Sequence, residues 1–217
     1  MSLLAPSDQQ TLRDMFSDMT QPVTILFFTQ TFGCETCEET RKILAELTAL
    51  TDQIVVEEIN LVLEKERAAG YGIDRAPGLV MLAGGQDTRV RFLGAPAGYD
   101  FMAVVDAILA VSGATDAPLT AESLELLAAH TAPTDIKVFV TPTCVYCPRA
   151  VSLAVRMAFA NPHITATTVV ATEFYDLARQ FRVTGVPKTV VNGDIEILGA
   201  QPEGLFVRTA LALESVE

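Results

Sequence analysis

"TPTCVYCPRA" (residues 141–150) holds two cysteines with two residues between them, and "TQTFGCETCEET" (29–40) holds two more in the same pattern. The 217-residue chain has no other cysteine. Cys34 and Cys144 lie 110 positions apart, as do Cys37 and Cys147, and so do Pro77 and Pro187. Each leading cysteine therefore precedes its proline by 43 positions. Further segments align: "YGIDRAP" (71–77) with "FRVTGVP" (181–187), "FFTQT" (27–31) with "FVTPT" (139–143), and "FLGAPAGYDF" (92–101) with "ILGAQPEGLF" (197–206). Phe32 and Gly33 are an insertion in the first copy. Past the proline, the first copy has "AGGQDT" where the second has "NGD" and runs five residues shorter. Asn-Gly between apolar runs favours a two-residue hairpin turn, since both residues tolerate positive φ. A shorter turn in the same hairpin is thus the expected cause of the deletion. A fixed-period echo of this extent makes the chain a tandem duplication.

Each copy reads alike. An amphipathic helix opens it, with Leu12, Met15, Phe16 and Met19 on one face in the first copy and Leu124 and Leu127 in the second. A strand follows ("VTILFFT"; "IKVFVT"), apolar enough to be buried on both faces. Then come Cys-x-x-Cys and a helix with Ile43, Leu44, Leu47 and Leu50 at helical spacing, matched by "RAVSLAVRMAFA". A second strand, a charged helix, the proline, a hairpin and a terminal helix complete the unit. The expected class is α/β, two fused units, each a central mixed β-sheet flanked by helices. The expected units are residues 1–112 and 113–217, joined through "VSGATDAPLT" (111–120).

Composition narrows the function. Half the residues are hydrophobic, mean hydropathy is +0.34, and 15 basic against 27 acidic residues leave a net charge of −12. A polyanion is repelled at long range, so nucleic acid is not an expected partner. The start "MSLLAPSDQQTLRD" lacks the basic beginning and unbroken apolar run of a secretory signal. "MAVVDAILAV" (102–111) is half the length of a membrane span and contains Asp106, so it reads as a buried helix. A soluble, cytoplasmic chain without membrane contact is expected. Structural disulfides are rare in that compartment, which turns the cysteines toward redox chemistry or metal binding.

Strand, Cys-x-x-Cys, helix, and a proline 43 positions later before a hairpin resemble the thioredoxin fold. Two such units in one chain resemble the protein disulfide oxidoreductase family, also called glutaredoxin-like proteins, with "TPTCVYCPRA" and "TGVPKTVVNG" the most specific segments. The resemblance covers essentially the whole chain. It implies two fused thioredoxin folds, dithiol–disulfide exchange on protein substrates in cell redox homeostasis, and cis prolines at Pro77 and Pro187 beside the active sites. Val145-Tyr146 stands where glutaredoxins carry Pro-Tyr, and the first site has Glu35-Thr36. A related pattern, the N-terminal part of alkyl hydroperoxide reductase flavoproteins, also pairs two thioredoxin folds but retains one dithiol. The two intact motifs argue against that relationship.

The chemistry explains the spacing. A thiol attacks a disulfide as thiolate, and a helix N-terminus favours that anion through free N–H groups and partial positive charge. A second cysteine three residues on lies one helical turn away and can resolve the mixed disulfide. Cys34 and Cys144 are therefore the expected nucleophiles, Cys37 and Cys147 the more buried resolving thiols, and Pro148 fits the first helical turn. A cis turn leaves the backbone of Ala76 and Val186 free to pair with an extended substrate segment. Tyr146 reads as a solvent-facing ring that can pack on a docked substrate. Glu35, Glu38 and Glu39 oppose a thiolate at Cys34, whereas Arg149 favours one at Cys144. The second site is then the more oxidising and the first the more reducing. The sulfur itself is the redox centre, so no cofactor and no metal is required. Electrons come from a thioredoxin-reductase-like flavoprotein or a small dithiol.

Two alternatives belong to other classes. Four cysteines can hold one zinc, but zinc ribbons separate their pairs by about 15–20 residues, against 107 positions between Cys37 and Cys144. A substrate-binding or chaperone-like module would carry its thiols without catalysis. His130 and His163 read as surface or capping histidines, and Lys188 as a surface lysine.

Overall fold

The computed structural model describes residues 4–114 and 118–213. The extreme N-terminus of the signal reading and the middle of the expected junction lie outside these residues. The first copy runs α1 (Pro6–Phe16), β1 (Val23–Thr29), α2 (Cys37–Thr48), β2 (Ile54–Asn60), α3 (Lys65–Gly70), β3 (Gly78–Ala83), β4 (Gln86–Leu93) and α4 (Tyr99–Ser112). The second repeats it with α5 (Ala121–Ala129), β5 (Thr134–Val140), α6 (Cys147–Ala160), β6 (Ile164–Val170), α7 (Tyr175–Gln180), β7 (Lys188–Val191), β8 (Ile195–Leu198) and α8 (Glu203–Ala210). In each copy the first two strands are parallel and the hairpin strands antiparallel. These are the mixed sheets that the sequence implied.

The two sheets are one. β4 of the first copy pairs in parallel with β6 of the second, from Val90↔Ala166 to Leu93↔Val169. The continuous order is β2-β1-β3-β4-β6-β5-β7-β8. The first copy thus presents its hairpin edge to the β2-type edge of the second, a head-to-tail join that hides one pair of strand edges from water and from other chains.

Alternation along the strands divides the core. Ile25 and Phe27 enter a large cluster with residues of α1, α2, α4, α5, α6 and α8, whereas Leu26 and Phe28 enter a smaller one with Phe139 and Phe174 on the opposite face. α4 is buried over most of its circumference, Val104, Val105, Ile108 and Val111 included. It covers the sheet with one side and meets α6 with another, which is the fate of a helix apolar all round. Among the described residues no helix is long and apolar enough to cross a membrane.

Three sequence expectations need correction. Leu124 is 43% exposed, so the buried stripe of α5 rests on Leu127. Lys188 is 3% exposed rather than a surface residue. Its Nζ donates to the Glu196 carboxylate at 2.8 Å and to the carbonyls of Phe181 and Arg182, so every proton has an acceptor. The hairpin deletion does not come from a shorter turn. Gly84 and Gly85, at φ 55° and 79°, form a two-residue turn between paired Ala83 and Gln86, whereas three residues separate the paired Val191 and Ile195. The strands differ instead: six and eight residues in the first copy, four and four in the second. The extra length includes a bulge, where the register shifts between Met81 and Leu82 and Arg89 sits at φ 62°. Arg89 reaches across the join and donates to the carbonyls of Ala158 (2.7 Å) and Ile164 (3.2 Å). The longer hairpin is what the first copy uses to hold the second.

Candidate redox sites

In both copies the chain leaves the central strand, makes a short loop, and enters a helix at the second cysteine. Cys34 and Cys37 are joined as a disulfide, as are Cys144 and Cys147, each with Cα atoms 5.5 Å apart. Cys37 and Cys147 are the first residues of α2 and α6 and are buried, at 4% and 0% exposure. Cys34 and Cys144 are half-buried, against the same apolar core. Pro148 sits in the first turn of α6. Each leading cysteine thus lies three residues before the first residue of a helix, and the free N–H groups of a helix start favour an anion. The four sulfurs form two separate pairs, and among the described residues no group of three or more His, Cys, Asp or Glu is arranged to hold a metal.

The Ala76–Pro77 and Val186–Pro187 bonds are cis. Phe28 pairs with Gly78, and Phe139 with Lys188, which sets each proline beside the strand end leading to its cysteines. Tyr146 is 69% exposed, and Phe32, the inserted residue of the first copy, is 87% exposed. Glu35 and Arg149 are exposed. Glu38 is drawn away along α2 into ion pairs with Arg41 and Lys42. His130 caps the end of α5, its ring 2.7 Å from the Thr134 hydroxyl.

Sequence reasoning missed the groups that connect the sites. The 94–99 loop of the first copy meets the second motif directly and the first through Glu173. Tyr99 N–H donates to the Pro142 carbonyl at 2.9 Å, two residues before Cys144. Ala95 N–H donates at 2.8 Å to Glu173, whose other carboxylate oxygen accepts the hydroxyl proton of Thr36, between Cys34 and Cys37. Gly98 is required there: its φ is +58°, and a Cβ would lie 2.2 Å from the Pro142 oxygen. Asp100 follows, fully buried, with neither carboxylate oxygen hydrogen-bonded. Burial, and after it the charge of Glu173, push its pKa up to about 7. Asp100 had a sequence signal, an acid at the start of an apolar helix. Glu173 had only a weaker one: it falls where the first copy has Leu63.

This arrangement has relatives. A Thioredoxin domain family matches residues 134–212. The AhpF alkylhydroperoxide reductase of Enterococcus faecalis, solved as a C503A mutant, superposes with a TM-score of 0.88 at 30% identity, covering 95% of this chain and 99% of that one. The chain belongs to the AhpF-like protein disulfide oxidoreductases. A protein disulfide oxidoreductase from Aeropyrum pernix superposes with a TM-score of 0.86 at 27% identity, over 95% of this chain and 92% of that one. The AhpF-type alkyl hydroperoxide reductase of Staphylococcus epidermidis is 28% identical over 156 residues, 71% of this chain. The chain spans 28% of the length of that curated relative. The relationship that the second dithiol argued against in the sequence is therefore real, and this family member carries two dithiols. It is a thiol–disulfide oxidoreductase with a tandem thioredoxin fold and two Cys-x-x-Cys centres.

Proposed function

We propose that the chain exchanges dithiols for disulfides on protein substrates, with Cys34 and Cys144 as attacking sulfurs and Cys37 and Cys147 as resolving ones. One observation carries this reading: at both sites a half-buried cysteine precedes a helix whose first residue is its buried partner. In the reducing direction the leading thiolate attacks one sulfur of the substrate disulfide and expels the other as a thiolate. The resolving thiolate then attacks the leading sulfur of the mixed disulfide. The substrate leaves as a dithiol and the site closes as a disulfide, two electrons and two protons having passed. Asp100, with a pKa near neutrality, serves as a buried proton store beside the loop that meets the second motif at Pro142.

The remaining roles follow from placement. The backbones of Ala76 and Val186, before Pro77 and Pro187, receive an extended substrate segment, and the exposed Tyr146 ring packs on it. Arg149 lowers the Cys144 thiol, while Glu35, and Glu38 to the extent that its ion pairs leave it charge, raise the Cys34 thiol. The redox units divide at residues 1–112 and 113–217, and the protein works in the cytoplasm. Likeness to the AhpF-type alkyl hydroperoxide reductases favours a flavoprotein, rather than a small dithiol, as electron source, with a hydroperoxide-reducing partner among the recipients.

The test is disulfide reduction by Cys34→Ser and Cys144→Ser, singly and together. Each single variant is expected to lose one site's turnover and the double variant all of it. Full activity in the double variant defeats the proposal, leaving a binding module whose thiols are incidental. Zinc in the purified protein at one ion per four cysteines would leave a metal-binding module instead.

A further inference from the structure

Gly94 N–H donates to the Pro77 carbonyl, and Gly199 N–H to the Pro187 carbonyl, both at 2.9 Å. The loop after each hairpin therefore lies against the turn at its proline, so a segment docked on Ala76 or Val186 meets that loop as well. At the first dithiol this surface is already covered. A Cβ on Gly94 would lie 2.5 Å from the Val170 side chain. Ala95 N–H is bound by Glu173 at 2.8 Å, and Thr36, between the cysteines, donates to the same carboxylate. Arg75, two residues before Pro77, donates to Asp176 at 2.9 Å and lies over the Phe174 ring. One stretch of the second copy, residues 170–176, makes all of these contacts.

The corresponding places at the second dithiol are open. A Cβ on Gly199 or on Gly185, the counterparts of Gly94 and Arg75, would have no neighbour within 4 Å. Ala200 N–H, the counterpart of Ala95 N–H, has no hydrogen-bond partner among the described residues. Leu198 is 62% exposed where Leu93 is 7% exposed, and the exposed Val145 and Tyr146 stand where the first copy has Glu35 and Thr36. Cys34 and Cys144 are both half-buried. The two sites thus differ in the flank and not in the leading cysteine.

We propose that residues 170–176 occupy the substrate-docking flank of the first dithiol, so that protein disulfides exchange at Cys144 and small disulfides at either site. This deepens the proposed function and rests on its reading of Ala76 and Val186 as docking backbone. The partner of the second site is an extended protein segment. It brings apolar side chains to Val145, Tyr146 and Leu198, and a carbonyl or carboxylate to Ala200 N–H, as Glu173 does to Ala95 N–H.

The experiment uses the full chain with one dithiol at a time, the other replaced by Cys144→Ser with Cys147→Ser or by Cys34→Ser with Cys37→Ser. Each protein is reduced, freed of reductant, and mixed with insulin or with neutral dipyridyl disulfide at high salt, where exposed charges are screened. In either reaction the protein dithiol closes to a disulfide and the substrate disulfide becomes two thiols. The ratio of the insulin rate to the dipyridyl rate cancels the reactivity of the cysteine itself. It is expected to be lower at the first dithiol by about tenfold, the worth of one or two docking hydrogen bonds. Glu173→Ala together with Arg75→Ala removes one charge of each sign and both side-chain holds on the flank. The first-site ratio is then expected to rise several-fold while the second-site ratio stays where it was. Equal ratios in the two parent proteins overturn the proposal, and so does a low first-site ratio that the double substitution leaves unchanged. A second-site ratio that shifts as well reports damage to the join and also overturns it. If the first dithiol reduces neither substrate, the reading of Cys34 as an attacking sulfur fails and the proposal with it; if it reduces both at the second site's ratio, only the proposal fails.

Discussion

Asp100→Asn isolates the buried acid between the two sites. Asp100 is fully buried in the first turn of α4, and neither oxygen has a hydrogen-bond partner. Burial and the nearby Glu173 carboxylate push its pKa up to about 7. In an unfolded chain an aspartate titrates near about 3.9. Between those two values the native protein keeps a proton that the unfolded chain has released. Native stability is therefore intact below the lower value, falls as pH rises, and levels off once the native group has ionised. Integrated over the gap, the loss reaches about 4 kcal/mol at pH 8, of which about 3 kcal/mol builds up between pH 5 and pH 8. Asparagine copies the shape of the protonated carboxyl and does not titrate. Urea unfolding of the oxidised protein, at steps from pH 5 to pH 8, is expected to show the parent losing about 3 kcal/mol more than Asp100→Asn. All other groups titrate alike in both proteins and drop out of the difference. Parallel stability curves would refute the reasoning, because they would mean that Asp100 is ionised or solvated at pH 5.

Other outcomes follow from the same geometry. Reduced Cys144 is expected to titrate below Cys34, by less than about one unit because the responsible charges are exposed; alkylation rates against pH measure both thiols, and a lower Cys34 value contradicts the electrostatic argument. Arg89→Ala strips the Ala158 and Ile164 carbonyls of their charged donor and is expected to cost about 2–4 kcal/mol in urea unfolding; a loss within error would show that the bulge does not hold the copies together. Gly98→Ala and Gly85→Ala are compared: both sit at positive φ, but Gly98 also has ψ −131° and Pro142 in the way, whereas Gly85 faces open space. Gly85→Ala should cost about 1 kcal/mol from the backbone alone, and Gly98→Ala clearly more, with slower disulfide exchange; equal costs would remove the loop's contact from the account.

The duplication was legible because it is written in covalent spacing: two cysteine pairs and two prolines at one offset, inside strands and helices of the expected period. The burial of α4 was legible for a similar reason, since a helix without a polar face has nowhere to go but inside. The hairpin misled because Asn192-Gly193 is a good turn signal, while the register shift between Met81 and Leu82 leaves no comparable mark. Lys188 misled because its type argues for solvent, and only the fold supplies Glu196 and two carbonyls to take its protons. The 94–99 loop and Glu173 belong to a further class. Their partners lie in the other copy, so nothing in either repeat read alone could announce them.

That class has a physical origin in how the copies join. Two equal units related by a closed two-fold axis would give both dithiols the same surroundings. Here the hairpin edge of one copy meets the β2-type edge of the next, so the relation is head-to-tail and the surroundings must differ. The loop after β4 sits at the join, where it meets the second motif through Tyr99 and Pro142 and the first through Glu173, whereas β8 is an outer strand of the described sheet. Leu63, after β2 on the free edge, is 82% exposed. Its counterpart Glu173, after β6 on the joined edge, holds Thr36 inside the first motif. A gene duplication alone would have made two interchangeable sites; it is the seam that gives the first site a residue of the second copy, and so allows the two pairs to be tuned apart without altering either Cys-x-x-Cys spacing.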